Sequence, residues 1–266
     1  MEYLKFILYG LIQGLTEFIP VSSTAHLKII SLWLGIEDPG SSLSAIIQLG
    51  SVFAIFWYFR NDIFNFNNST SKNILDSLLF KRLSTSIFIG TIPIIFIGAF
   101  IKFFIPYFLD NNLRSNFSIA IISILMAFFM YFSDNSRNKY INLKNHNYLD
   151  SLLIGLGQAF AIIPGVSRSG VTISLALLFG WERKDAAKFS FLLGIPAISL
   201  AAIVQLIFSL NQFSNFSFLP LVIGLTTTFL SSLLAIDFLI KYISKRGMKI
   251  FIYYRIIFGI LILLNL

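Results

Sequence analysis

Apolar residues occupy this chain in long blocks, and the length of each block predicts what it can do. A helix needs roughly 20 apolar residues to cross ~30 Å of hydrocarbon. Windows near 43–59, 86–105, 117–133, 189–209, 218–240 and 250–265 come close to that length and are predicted to be spans. Two further apolar regions, 4–34 and 151–180, are each broken in the middle by polar residues. Their pieces, 4–19 with 27–34 and 151–163 with 171–180, are too short to cross. Each pair predicts a re-entrant helical hairpin, which a bilayer tolerates only where irregular backbone is buried in protein or lines a cavity. The expected architecture is an all-α polytopic membrane protein. It has six transmembrane helices plus two re-entrant helical hairpins in a single membrane domain, 1–266.

Charge between the blocks orients them. Loop 60–84 carries Arg60, Lys72, Lys81 and Arg82, and 134–150 carries Arg137, Lys139 and Lys144. Segment 181–188 has Arg183, Lys184 and Lys188, and 241–249 has Lys241, Lys245, Arg246 and Lys249. The opposing loops 106–116 and 210–217 are nearly free of basic residues. With basic loops in the cytoplasm, all six spans alternate only if 151–180 enters and leaves on the cytoplasmic side. By the same logic, 4–34 enters and leaves on the outer side.

Each half is then one hairpin plus three spans, an odd number, so the halves 1–150 and 151–266 have opposite orientations. A faint repeat accompanies this inverted topology. Gly10-x-x-Gln13 precedes Pro20 as Gly155-x-x-Gln158 precedes Pro164, and Gly50 and Gly194 each follow their proline by 30 residues. Inverted repeats place two broken helices face to face at the midplane.

Composition agrees with the pattern. Of 266 residues, 56% are hydrophobic, 12% are charged and 30 are Phe, where a soluble domain carries about 25% charge. The formal charge of +8 comes without an aromatic-basic patch or zinc spacing, so no nucleic-acid partner is expected. Cys is absent, which excludes disulfides and thiolate chemistry. The first turn is weakly charged and no small-residue cleavage site follows it, so the N-terminus is expected to stay in the mature chain.

The two polar interruptions carry the candidate chemistry. Gly10, Gln13, Gly14 and Glu17 share one helix face. Beyond Pro20, the residues Ser22, Ser23 and Thr24 open the next helix, and His26 lies one turn on. Hydroxyls at a helix start ordinarily cap it, but such a start also presents N–H groups and positive dipole to an anion. Ser23, His26 and Glu17 can supply nucleophile, base and orienting group. The second loop, Pro164-Gly165-Val166-Ser167-Arg168-Ser169-Gly170-Val171-Thr172, lacks an acid or base and reads as a binding loop. Its Gly165 and Gly170 permit close backbone approach, Ser167, Ser169 and Thr172 offer hydroxyls, and Arg168 offers a planar fork matched to phosphate. An ion pair between Arg168 and Glu17 is the structural alternative.

Blander readings suffice elsewhere. Asp237 and Lys241 are an i, i+4 pair, Lys28 snorkels outward, and His146 sits solvated in an Asn-rich loop. Arg255, near the start of the last span, snorkels or pairs. Gln48 lies near the outer end of a span, where it can face the cavity.

Taken together, Gly10-Leu11-Ile12-Gln13-Gly14-Leu15-Thr16-Glu17-Phe18-Ile19-Pro20-Val21-Ser22-Ser23-Thr24-Ala25-His26, Ile47-Gln48-Leu49-Gly50-Ser51 and the 164–172 loop resemble the undecaprenyl-diphosphate phosphatases of the bacitracin-resistance type over essentially the whole chain. The resemblance implies removal of the terminal phosphate of a polyprenyl diphosphate lipid, recycling the carrier for peptidoglycan and other envelope polymers. It implies a bacterial plasma (inner) membrane protein among membrane lipids, and the loop charges put its active site on the outer, periplasmic side. Catalytic roles fall on Glu17, Ser23, His26 and Arg168, and substrate contacts on Gln13, Ser22, Thr24, Gln48, Gly165, Ser167, Ser169, Gly170 and Thr172. Many members have Glu at the position of Gln13 and Gly at that of Ala25. A metal-ligand role for Gln13 beside Glu17 is therefore weak, and the divalent cation, Mg2+ or Ca2+, is expected to ride largely on the diphosphate.

The mechanism expected is in-line attack by Ser23 with His26 as general base and Glu17 orienting it or holding the cation. Attack by water or by His26 itself remains open at this level. So do a carrier flippase and a non-catalytic diphosphate-binding scaffold, and the chain is compatible with assembly into a homo-oligomer.

Overall fold

The computed structural model describes residues 2–61, 74–104, 113–136, 139–208 and 217–265. The charge reading also used Lys72, Arg137, most of loop 106–116 and nearly all of 210–217, which lie outside the described residues. Ten α-helices fill the described part: α1 (Glu2–Phe18), α2 (Ser23–Trp33), α3 (Gly40–Tyr58), α4 (Ile74–Phe104), α5 (Asn116–Asn135), α6 (Tyr148–Ala159), α7 (Arg168–Leu178), α8 (Arg183–Phe208), α9 (Phe218–Arg246) and α10 (Lys249–Leu264). A single 3-10 turn, Phe160–Ile162, follows α6.

Among the described residues, four stretches are long and apolar enough to cross a membrane: Leu78–Ile101, Asn116–Asn135, Arg183–Gln205 and Phe218–Arg246. The apolar part of α3, Leu43–Tyr58, and the 16-residue α10 are shorter. In the most apolar 18-residue part of Leu78–Ile101 only 22% of residues are buried, and Phe88, Ile95, Phe96 and Phe100 point outward. So large an apolar exterior suits lipid as the surrounding medium.

At both polar interruptions one helix ends and a second, short helix begins. Pro20 stops α1 and Pro164 stops the α6 segment, because proline lacks the N–H a helix interior requires. Each chain then doubles back into an 11-residue helix, α2 or α7. Asn147 starts α6 with a capping box completed by Asp150, and the same Asp150 accepts from Trp181 Nε1 at 3.2 Å, just past α7. Entry and exit of α6–α7 therefore meet. Around the segment after α2, Tyr9 OH donates to Glu37 O at 2.6 Å, and Arg114 pairs with Asp38 at 2.9 Å.

Small residues let the helices close on one another, since without a hydrophobic drive in lipid close van der Waals contact holds helices together. A methyl group at Gly10 would lie 2.6 Å from Gly224 O of α9, and one at Gly155 2.6 Å from Gly90 Cα of α4. Thus α1 packs on α9 and α6 on α4, while α3 meets α8 and α5 meets α10. The main core lies between these layers around Phe18, Trp181, Phe189 and Phe191.

Two polar residues differ from their sequence reading. His146 is fully buried, not solvated. The chain 140–141 bonds back to Gly180, which tucks the ring against Trp181 and Phe189 with Ser86 Oγ 2.6 Å from Nε2. Arg255 neither snorkels nor, among the described residues, pairs with a carboxylate; it is fully buried. Asp237 and Lys241 do pair, at 2.6 Å.

Candidate functional site

The two hairpin tips meet inside the protein, and the backbone does the same thing at both. Ser22 (φ 78°) and Ser167 (φ 69°), the residues immediately before α2 and α7, adopt the left-handed region, which costs a non-glycine residue roughly 1–3 kcal/mol. Residues of both tips, Ser22, Ser23 and Thr24 from one and Ser167 and Arg168 from the other, line one shared space. Ser167 Oγ caps its helix by accepting from Gly170 N at 3.2 Å, whereas Ser22 makes no side-chain cap. Ser169 Oγ crosses between tips to donate to Ile19 O at 3.3 Å.

A cavity of about 180 Å³ opens there. Its polar wall is Glu17, Ser22, Ser23, Thr24, Gln48, Ser167 and Arg168; its apolar wall is Ile94, Ala161, Ile162, Ala197, Ile198 and Ala201. The combination is amphipathic: an anion-sized polar end faces an aliphatic flank contributed by α4, α8 and the 3-10 turn.

Glu17 is the hub of the polar wall. Ser23 Oγ donates to its Oε2 at 2.7 Å, Gln13 Nε2 donates to the same oxygen at 2.9 Å, and Arg168 Nη2 lies 3.5 Å from Oε1. Arg168 Nη1 donates to Ser190 O at 3.1 Å. Among the described residues its buried Nε and Nη2 make no hydrogen bond, Nη2 holding only the long ion pair to Glu17. A buried guanidinium with donors to spare is costly unless something supplies acceptors, and phosphate oxygens match its fork.

His26 has other company. Its Nδ1 donates to Ser22 O at 2.7 Å, which leaves Nε2 to accept from Tyr254 OH at 2.7 Å. The ring lies flat on Phe258, centroids 4.2 Å apart, is 1% exposed and does not line the cavity. The hydrogen bond that Ser23 donates goes to Glu17, so the structure joins Ser23 to the carboxylate and holds the imidazole behind the tip. Gly165 (φ 97°) packs against Ile119 O and Ile122 of α5. Gly170 lies against Pro20, and Thr172 Oγ1 is 2.6 Å from Ser190 Oγ. Along with Gln13 and Ser169, these build the tips from behind.

A resident divalent cation does not fit. Both Glu17 oxygens are engaged, Gln13 turns its amide nitrogen toward the carboxylate, and no group of three His, Asp or Glu gathers among the described residues.

Several participants carry no local sequence signal. Ser190 anchors both Arg168 and Thr172, and Tyr254, Arg255 and Phe258 of α10 back the tips. Gly194 was visible only through its spacing from Pro164. A methyl group there would lie 2.6 Å from Arg168 Cζ, so its missing side chain is the space the guanidinium occupies.

Comparison with known proteins places the whole chain among named relatives. The family model "Bacitracin resistance protein BacA" matches residues 6–261. A protein named undecaprenyl-diphosphatase from Prochlorococcus marinus (strain MIT 9215) is 71% identical over 266 residues, covering 100% of both chains. One of the same name from Prochlorococcus marinus (strain MIT 9301) is 70% identical over 266 residues, also covering 100% of both. A third, from Trichodesmium erythraeum, is 44% identical over 264 residues, covering 98% of this chain and 85% of its own.

Proposed function

The chain belongs to the bacitracin resistance protein BacA family, and we propose that it is an integral-membrane phosphatase whose chemistry is done by Ser23, Glu17 and Arg168. It hydrolyses undecaprenyl diphosphate to undecaprenyl phosphate and inorganic phosphate. That returns the lipid carrier to peptidoglycan and other envelope synthesis and underlies bacitracin resistance. The observation that carries the site is the pairing of a hydroxyl on a buried carboxylate (Ser23 to Glu17, 2.7 Å) with a buried Arg168 whose Nε has no hydrogen-bond partner among the described residues and whose Nη2 holds only a long ion pair to Glu17.

The terminal phosphate sits on Arg168 Nε and Nη2, with Ser167, Ser22 and Thr24 around it, and the prenyl chain leaves along the apolar wall. Ser23 Oγ attacks the terminal phosphorus in line with the bridging oxygen, and its proton passes to Glu17. The bond from phosphorus to the bridging oxygen breaks. Undecaprenyl phosphate departs and takes up the proton, leaving phosphoserine. Water, deprotonated by Glu17, then attacks the phosphoserine; the bond from phosphorus to Ser23 Oγ breaks, Glu17 returns the proton to Oγ, and inorganic phosphate leaves. Arg168 and the α7 N-terminal amides offset charge on the transferred oxygens. His26 holds the Ser22 carbonyl and so sets the Ser23 rotamer. The divalent cation, Mg2+ or Ca2+, arrives as part of the diphosphate substrate.

The surrounding architecture is an inverted repeat, 1–150 against 151–266, of six spans and two re-entrant hairpins in the bacterial plasma membrane. The helix pairings α1–α9 and α6–α4 support it, because each exchanges the other's half. Basic loops face the cytoplasm, and the site opens outward.

Phosphate release from undecaprenyl diphosphate in detergent with Mg2+ tests the reading. Wild type turns over, and folded Ser23→Ala and Arg168→Ala lose at least a hundredfold. Binding without turnover by folded wild type would instead favour a lipid-carrier transporter or scaffold.

A further inference from the structure

Arg255 is charged, fully buried and set in a helix of 16 mostly apolar residues. Its guanidinium spends its donors on backbone carbonyls from three separate parts of the chain. Nε donates to Ser123 O of α5 at 3.2 Å, Nη1 to Pro20 O at 3.2 Å and Nη2 to Gly165 O. Ser123 Oγ returns a bond to Arg255 O at 3.3 Å.

The two tip carbonyls are equivalent positions. Pro20 lies two residues before Ser22 and Gly165 two residues before Ser167, the pair with left-handed φ. At both places the helix has stopped, so these carbonyls have no helical N–H to receive. One planar fork with parallel donors can take one carbonyl from each. A lysine ammonium, a point charge on a flexible stem, does not impose that spacing.

We propose that Arg255 is a positioning residue of the phosphatase, holding the two hairpin tips in register so that Ser23 and Glu17 from one tip and Arg168 from the other converge on one phosphate. This rests on the phosphatase reading above. Arg255 does not line the cavity and acts through the two carbonyls. Ser169 to Ile19 also joins the tips, but as a neutral bond at 3.3 Å. The catalytic contact across the tips, Arg168 to Glu17 at 3.5 Å, lies on the far side of the turns that Arg255 grips. Losing register should therefore harm transition-state geometry more than lipid binding, because most of the substrate's binding surface is the prenyl chain.

The chain has no cysteine, so an engineered pair reports tip spacing without background. A Cβ at Gly170 would lie 3.6 Å from Pro20 Cβ, within disulfide reach. Wild type, Arg255→Lys and Arg255→Gln would be assayed for kcat and KM on undecaprenyl diphosphate with Mg2+. Thermal midpoints would be recorded for each, and Pro20→Cys/Gly170→Cys would be added to all three for cross-linking. The expected result is a folded Arg255→Lys protein with kcat at least tenfold lower and KM changed less than threefold. The cysteine pair should close several-fold faster with Arg255 present than with Lys or Gln. Closing it in the Arg255→Lys background should raise turnover above that of the same protein reduced.

Turnover within twofold of wild type in folded Arg255→Lys would overturn the proposal, as would cross-linking indifferent to residue 255. Activity loss matched by loss of folded protein in every variant would also overturn it. Cross-linking needs no catalysis, so a wild type that releases no phosphate would sink the phosphatase reading and leave the stapling test standing.

Discussion

Gly194 of α8 and Arg168 of α7 share one space: the guanidinium lies where any larger residue at 194 would put its side chain, with Cζ 2.6 Å from the position of a methyl group. The first residue thereby sets how far the second reaches across to Glu17. At Gly50, its counterpart in the sequence spacing, a methyl group would instead lie 2.6 Å from Leu225 O of α9. One glycine makes room for a functional cation, the other for a helix.

Alanine at the two positions should therefore have different consequences. Gly194→Ala is expected to lower kcat/KM by roughly 10- to 100-fold, as for loss of a hydrogen bond to a charged group worth about 1.5–3 kcal/mol, with little change in thermal midpoint. Gly50→Ala should lower the midpoint by several degrees while its folded fraction stays active. Steady-state kinetics beside thermal melts distinguish them, and equal melting losses would refute the assignment.

Glu17→Gln keeps a hydrogen-bonding group beside Ser23 but cannot accept its proton. Turnover should fall by about 10²- to 10⁴-fold, the usual yield of a positioned base. Gln13→Ala removes one of the two bonds to Oε2 and leaves the base in place, so the loss should stay under about tenfold by the same reasoning. A Glu17→Gln enzyme with near-native turnover would remove the carboxylate from the mechanism.

Tyr254→Phe deletes the partner of His26 Nε2 and leaves Nδ1 on the Ser22 carbonyl. Stability should drop by about 1 kcal/mol, the net value of one hydrogen bond, and turnover should stay within about threefold of wild type. Loss of turnover as deep as in Ser23→Ala would mean that the imidazole takes part directly.

His146 makes stability pH-dependent. Burial lowers its pKa below 6.5, and the neighbouring Arg82 lowers it further. The unfolded chain therefore binds the proton first as pH falls, so the stabilisation is present above 6.5 and lost on acidification through the folded-state pKa. Thermal midpoints measured in detergent between pH 8 and 5 should fall on the acid side, and less so in His146→Gln. A slope unchanged by the substitution would assign the effect to other groups.

Chelation should stop turnover without leaving a metal-depleted protein behind. Purified enzyme is expected to hold well under one divalent ion per chain by elemental analysis, with activity returning on addition of Mg2+ or Ca2+. A stoichiometric ion surviving dialysis would require protein ligands that Glu17 and Gln13, as arranged, do not supply.

Much of the molecule was legible along the chain because its causes are local. Block length announced the apolar helices, Pro20 and Pro164 announced where two of them stop, and Glu17, Ser23 and Arg168 stood out as polar groups in apolar surroundings. Gly10 and Gly155 stood out by their matching spacing, and each is a contact point with a helix distant in sequence, α9 or α4.

Other assignments had no local cause to read. His146 looked solvated because its neighbours are Asn and Lys, and only the return of the chain against Gly180 buries it. Arg255 looked like a residue that reaches water; it is instead enclosed by carbonyls from residues 20, 123 and 165, which no sequence window contains together. His26 and Ser23 stand three residues apart in a helix that could turn either to the other, and the choice was made by Tyr254 and Phe258, more than 200 positions away. Hydrophobicity and backbone breaks act over a few residues, so the sequence by itself determined the helices, the hairpin tips and the inventory of reactive groups. Which acceptor each buried donor finds depends on what other helices bring within 3 Å. That was decided only when the tertiary structure closed.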